Sequence, residues 1–198
     1  MAQGNPGDSA EKSERRNRER NLVLIGYRAT GKTAVGARLA QLLGRPFVDL
    51  DQVLVKEAGR SIAEIVAQGG WEEFRRREKE LVARYRSARG QVLATGGGVV
   101  LDFENIQALR ENGTVIWLTA DPATIQSRLL RDQPQELSRP SLTGGDTIKE
   151  VAEVLQARQH LYLAAAQIII DTAGQSIPQV VERILMALKA QEATDLGR

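Results

Sequence analysis

Five short apolar runs punctuate the chain: Leu22–Ile25, Phe47–Leu50, Val92–Ala94, Val115–Leu118 and Ile168–Ile170. None alternates strictly with polar residues, as expected of strands covered on both faces. Between them the spacing turns helical. After Lys32, residues Val35, Leu39, Leu42 and Leu43 fall on one stripe. Near the end, Ile177, Val180, Val181, Ile184, Leu185 and Leu188 keep the i, i+3, i+4, i+7 period of a helix with one buried face. Asp121-Pro122 offers a cap followed by a proline, the usual opening of a helix. Strands alternating with helices predict an α/β sandwich around a mainly parallel sheet.

Two stretches break this rhythm. Residues 51–90 read as about three helical pieces with no strand among them. Residues 132–146 are polar and rich in glycine and proline, which predicts a mobile loop. Residues 1–20 carry five basic and four acidic side chains with few apolar ones, so they predict a disordered, charged tail. A nucleic-acid arm is the competing reading of that tail, and the near balance of charge disfavours it. The folded unit is expected over 21–190, with 191–198 as a C-terminal tail.

Composition narrows the chemistry. A chain of 198 residues that is 42% hydrophobic supports one compact domain with a real core. Its 27 basic and 25 acidic residues leave a net charge of +2, too little to argue for nucleic acid as a partner. The absence of cysteine excludes disulfides, zinc–thiolate sites, iron–sulfur clusters and cysteine nucleophiles. The single histidine, His160, excludes any site built on two histidine ligands, and no G-x-S-x-G precedes it. No apolar run approaches the length of a membrane span and no signal-peptide core is visible. The expectation is a cytoplasmic monomer with a small-molecule substrate and neither membrane nor nucleic acid as partner.

The sharpest feature is Gly26-Tyr27-Arg28-Ala29-Thr30-Gly31-Lys32-Thr33, which fits G-x-x-x-x-G-K-[ST] between an apolar strand and an amphipathic helix. Glycines let the backbone N–H groups wrap a phosphate, and the helix N-terminus adds positive potential. Lys32 would reach the β- and γ-phosphate oxygens, and the Thr33 hydroxyl would ligate Mg²⁺. The loop through Ala34 is therefore the expected ATP site. The Arg28 side chain admits two readings, phosphate contact or solvent.

A phosphate loop alone does not separate a switch GTPase, a motor or a kinase. No guanine-reading N-K-x-D pattern is present, and the chain is too short for motor or helicase modules. Asp49 and Asp51 close the second apolar run, and ligands gather at strand carboxyl ends. They have the same parity along that strand, so they can face one cleft. Asp51 would otherwise cap the next helix. Among Arg75, Arg76 and Arg77, successive side chains splay by about 100° on a helix, so one points inward and two face solvent. Gly96-Gly97-Gly98 follow the third run and offer bare backbone to a polyhydroxylated substrate, or a flexible turn. Phe74, Trp117 and Tyr162 are expected to pack, and His160 to be an ordinary surface or core residue. Arg60 is open between anion binding and a helix end.

In order along the chain stand the phosphate loop, Phe47-Val48-Asp49-Leu50-Asp51, Gly59 to Ile65 (GRSIAEI), Glu73 to Glu78 (EFRRRE), Thr95-Gly96-Gly97-Gly98, Arg139-Pro140, and Ala157-Arg158 with Leu161-Tyr162. This set, from about Asn21 to Leu188, resembles the shikimate kinase family. The resemblance implies a three-layer αβα sandwich of the P-loop nucleoside-monophosphate-kinase type, with a five-stranded parallel sheet. Residues 51–90 would be its substrate-binding region and 132–146 its lid. It implies ATP and Mg²⁺, with Lys32 and the loop amides on the phosphates and Thr33 and Asp49 serving the metal. Asp51 would engage the reacting hydroxyl, and Arg75 and Arg158 would hold the shikimate carboxylate beside Gly96, Gly97 and Gly98. Arg139 would close on the phosphates. The chain departs from the family pattern at Ala29, where glycine is usual, at Ala34, and at Ser141-Leu142. A gluconate-type kinase of the same fold and a nucleotide-dependent regulatory module are the rival readings.

Overall fold

The computed structural model describes residues 19–131, 140–142 and 144–196. Five strands, β1 (Asn21–Ile25), β2 (Phe47–Asp49), β3 (Val92–Ala94), β4 (Gly113–Thr119) and β5 (Ile168–Asp171), form one sheet in the order β2-β3-β1-β4-β5. All neighbours are parallel, with Leu22 opposite both Val92 and Thr114. Helices α1 (Lys32–Leu43), α2 (Leu50–Ala58), α3 (Ile62–Tyr85), α4 (Phe103–Glu111), α5 (Pro122–Arg131), α6 (Val151–Ala165) and α7 (Ile177–Leu196) connect and cover the strands. A short 3₁₀ turn spans Val99–Leu101.

Side-chain alternation along β1 sorts the core into two layers. Val23 and Ile25 pack with Leu93, Val115 and Trp117 against residues of α2, α3 and α4. Leu22 and Leu24 pack with Val92, Ile116 and Leu118 against Val35 and Leu39 of α1 and Val180, Val181 and Ile184 of α7. Each such fully buried aliphatic side chain contributes roughly 1.5–3 kcal/mol. A third cluster, Tyr27, Ile125, Leu129, Val151 and Val154, fills the space between the end of β1, α5 and α6.

Several boundaries differ from the sequence reading. Leu50 begins a helix instead of ending β2, because the Asp49 side chain accepts from Gln52 N and starts α2 there. Leu42 and Leu43 are exposed. The buried face of α1 is Val35, Gly36, Leu39 and Ala40, where Gly36 lets the helix settle on the Phe47 ring. Ile177 is also exposed, and β5 lies at a sheet edge with Ile169 facing out. Glu19 and Arg20 are tied down: Gly90 N donates to Glu19 O, and Arg20 donates to the Gly113 carbonyl at 2.6 Å. At the other end, residues 191–196 continue α7, as their alanine, glutamine and glutamate content favours. Residues 1–18, 132–139 and 143, which hold most of the expected N-terminal tail and lid, lie outside the described residues.

Candidate active site

The loop after β1 is shaped by three unusual backbone angles. Gly26 takes φ 141° and Gly31 φ 93°, and Ala29 takes φ 59° without being glycine. A side chain on Gly26 would run into the Leu118 carbonyl. Gly31 starts α1 with no side-chain cap, so the first-turn N–H groups stay open to an anion. Lys32 Nζ donates to the Gly26 and Tyr27 carbonyls at 2.9 and 2.8 Å, and Thr30 Oγ1 donates to Tyr27 O at 2.8 Å. Arg128, on α5, braces the strained segment from outside: it donates to Ala29 O at 3.1 Å and to Thr172 Oγ1 and O at 2.9 and 2.6 Å. Nothing in the sequence links Arg128 to a loop 99 residues earlier.

Thr33 Oγ1 donates to Asp49 Oδ2 at 2.6 Å, while Asp49 Oδ1 accepts from Gln52 N. Two hard oxygen donors beside the phosphate loop fit Mg²⁺, which takes few protein ligands and completes its octahedron with phosphate and water. Ala34, within the same turn, is exposed. Asp51 is buried in the first turn of α2. It and Asp49 converge on the sheet's carboxyl edge through a helix start, not through strand parity. The capping role falls to Asp49, not Asp51.

Beside Asp51 opens a cleft lined by Tyr27, Asp51, Trp71, Arg75, Gly96 to Gly98 and Arg158, among others. Its arginines and glycines depend on one another. Gly70, at φ 70°, breaks α3, so residues 51–90 hold three helical pieces. The second half of α3 then turns Trp71, Phe74, Arg75 and Glu78 to one face, at i, i+3, i+4 and i+7. Arg75 ion-pairs with buried Glu78 and lies 5.4 Å from the Trp71 ring centroid. A methyl on Gly98 would overlap the Arg75 guanidinium, and one on Gly96 would lie 2.5 Å from Glu78 Oε1 and 2.8 Å from Asp51 Oδ1. Crowding by side-chain ends, not positive φ, favours glycine at these two positions. Arg158 approaches the Gly97 carbonyl at 3.5 Å, and the Tyr162 hydroxyl donates to the same oxygen. Tyr162 also stacks on Trp117, with centroids 5.5 Å apart, so both aromatics pack as expected.

Glu78 escaped the sequence reading, although its i, i+3 spacing from Arg75 was the available signal. Burial pushes its carboxyl above the usual range, with the Arg75 charge opposing and Asp51 adding to the rise. Its Oε1 has no partner among the described residues. Burial likewise raises the Tyr27 and Tyr162 hydroxyls, against the pull of nearby arginines.

The remaining candidates sort cleanly. Arg28 does not face solvent. It lines the same cleft and ion-pairs with buried Glu150 at 3.2 Å. Glu150 also accepts from Ser141 Oγ at 2.6 Å and from Leu142 N, which gives the Ser141 departure a physical use. Arg60 is exposed and bonds Gln68, away from the cleft, and His160 is exposed. Arg76 and Arg77 are solvated partners of Glu73, whose carboxyl they hold at about 2. Arg139 lies outside the described residues.

A family model described as shikimate kinase matches residues 28–189. A curated shikimate kinase from Symbiobacterium thermophilum is 47% identical over 177 residues, covering 89% of this chain and 99% of the relative. One from Syntrophus aciditrophicus is 42% identical over 187 residues, covering 90% of this chain and 96% of the relative. A solved structure, Acinetobacter baumannii shikimate kinase in complex with shikimate, superposes with a TM-score of 0.82 at 30% identity, covering 90% of this chain and 98% of that one. These agreements do not favour a gluconate-type kinase or a regulatory module. This chain, with its phosphate loop and its arginine-lined cleft at the same sheet edge, belongs to the shikimate kinase family and is a kinase.

Proposed function

We propose that the chain transfers the γ-phosphoryl group of ATP to the 3-hydroxyl of shikimate, giving shikimate 3-phosphate and ADP on the route to chorismate and the aromatic amino acids. The observation that carries this reading is the single crevice at the carboxyl edge of β1 and β3, where Tyr27 and Arg28 of the phosphate loop line the same cleft as Asp51, Arg75 and Arg158.

Phosphoryl transfer passes through a loose transition state, so catalysis is chiefly positioning and charge stabilisation. The loop amides from Gly26 to Ala34 and Lys32 hold the ATP phosphates, with Lys32 leaving the carbonyls it now contacts. Thr33 and Asp49 would hold Mg²⁺, which would supply positive charge against the phosphates when bound. Arg75 and Arg158 clamp the substrate carboxylate, and Gly96, Gly97 and Gly98 allow the ring against bare backbone. Asp51 accepts a hydrogen bond from the 3-hydroxyl and receives its proton as the new P–O bond forms and the bond to the ADP oxygen breaks. Arg139 completes the charge stabilisation when the 132–146 lid closes and excludes water. The reading includes a cytoplasmic monomer. Among the described residues no helix is long and apolar enough to cross a membrane.

The decisive assay couples ADP formation to a spectroscopic readout with and without shikimate, repeated on Asp51→Asn. Shikimate-dependent ADP release that falls by about a hundredfold or more in Asp51→Asn is expected. Release independent of shikimate, or dependent on gluconate instead, overturns the reading.

A further inference from the structure

Arg28 and Arg75 are built alike. Each guanidinium turns one nitrogen to a buried carboxylate: Arg75 Nη1 donates to Glu78, and Arg28 Nη2 donates to Glu150 at 3.2 Å and to Pro140 O at 3.4 Å. Each side chain lines the same cleft. Arg28 is only 5% exposed, yet its Nη1 has no hydrogen-bond partner among the described residues. The neighbouring Tyr27 hydroxyl, also buried, has no well-aligned partner and only a weak side-chain contact to Arg28 itself. A buried, charged donor left without an acceptor is costly, and a cleft that takes an anion is where such a donor finds one. Arg28 and Arg158 line the same cleft together with Tyr27.

We propose that Arg28 is a third guanidinium for the carboxylate of the acid substrate, delivered by the phosphate loop, and that Glu150 is its positioning residue. This rests on the reading of the cleft as the shikimate site. It moves the Arg28 side chain from the nucleotide to the acceptor, leaving only its backbone to the phosphates. The same Glu150 carboxylate accepts from Ser141 Oγ and Leu142 N. Arg28 is therefore held, through Glu150, by Ser141 and Leu142, and the geometry that receives the acid depends on those two residues being seated.

Calorimetric titration with shikimate and with its neutral amide separates a carboxylate contact from a structural role. In Arg28→Gln, affinity for shikimate should fall about thirtyfold or more, while affinity for the amide and for a non-hydrolysable ATP analogue stays within about threefold. Arg28→Lys keeps the charge but loses the fork, so it should lose less, about tenfold, and it tests the point should the glutamine variant not fold. Glu150→Gln should lower shikimate affinity about tenfold and leave the amide nearly unchanged. Equal losses for shikimate, amide and nucleotide, or no loss at all, overturn the role of Arg28. Failure of the unsubstituted chain to bind shikimate overturns the reading of the cleft and this proposal together; normal binding that is indifferent to Arg28 overturns this proposal alone.

Discussion

The Arg75 guanidinium sits between the buried Glu78 carboxylate and the bare α-carbon of Gly98, on space that any side chain at 98 would take from it. A residue on a helix and a residue after a strand thereby set each other's identity.

Gly98→Ala should push Arg75 off Glu78 and out of register with the substrate. Displacing a charged, hydrogen-bonded group costs roughly 2–5 kcal/mol, so KM for shikimate should rise about thirtyfold or more. KM for ATP should stay within about threefold, because the phosphate loop is untouched. Steady-state kinetics with each substrate varied in turn check this, and equal rises would remove the assignment of Arg75.

Arg75→Ala and Arg158→Ala should each weaken shikimate binding by roughly 2–5 kcal/mol and affect ATP far less. Equilibrium binding of each ligand alone decides between this and a general loss of structure.

Glu78 titrates above its unfolded value because burial outweighs Arg75. A carboxyl raised in this way favours the fold most below the unfolded pKa, and that contribution is lost as pH climbs through the folded pKa. Glu78→Gln removes the dependence. From pH 4 upward, the melting temperature of the native chain should decline relative to that of Glu78→Gln, read by circular dichroism at each pH. A difference that is flat with pH counts against the buried, raised carboxyl. Because Arg75 loses its anchor, the variant should also bind shikimate more weakly.

Ala29 holds a left-handed backbone, φ 59°, that costs an L-residue about 1–2 kcal/mol. Glycine relieves this but adds about 0.5–1 kcal/mol of unfolded-chain freedom. Ala29→Gly should therefore stabilise the fold by up to about 1 kcal/mol in urea unfolding, and Ala29→Val should destabilise it and raise KM for ATP.

Arg128 bonds the Ala29 carbonyl and both oxygens of Thr172. Arg128→Ala should cost about 2 kcal/mol of stability, as expected for charge-assisted bonds. It should also raise KM for ATP more than KM for shikimate, since the braced loop faces the nucleotide. The reverse pattern in the two KM values would argue against the brace.

Much of this was legible along the chain. The runs around Leu22, Val92 and Ile116 marked buried strands, and the loop from Gly26 to Thr33 marked its own chemistry, because strand burial and phosphate wrapping both depend on near neighbours. The inward member of the three arginines could be anticipated as single, and Arg75 is that one. The edge exposure of Ile169, the helix beginning at Leu50 and the outward Leu42 were not legible. Each depends on what another element covers: the sheet's edge position, the Asp49 cap and the close seat of Gly36 on Phe47.

By itself the sequence determined the alternation of strand and helix, the phosphate loop and the kinds of residue at the acceptor end, since these follow from periodicity and from chemistry within a few positions. Only the tertiary structure decided which groups work as pairs. Arg28 meets Glu150 across 122 positions, and Arg128 meets Ala29 across 99. Such pairs form because parallel strands bring distant loops to one edge, where a buried charge must find a partner. No local pattern records which partner that will be.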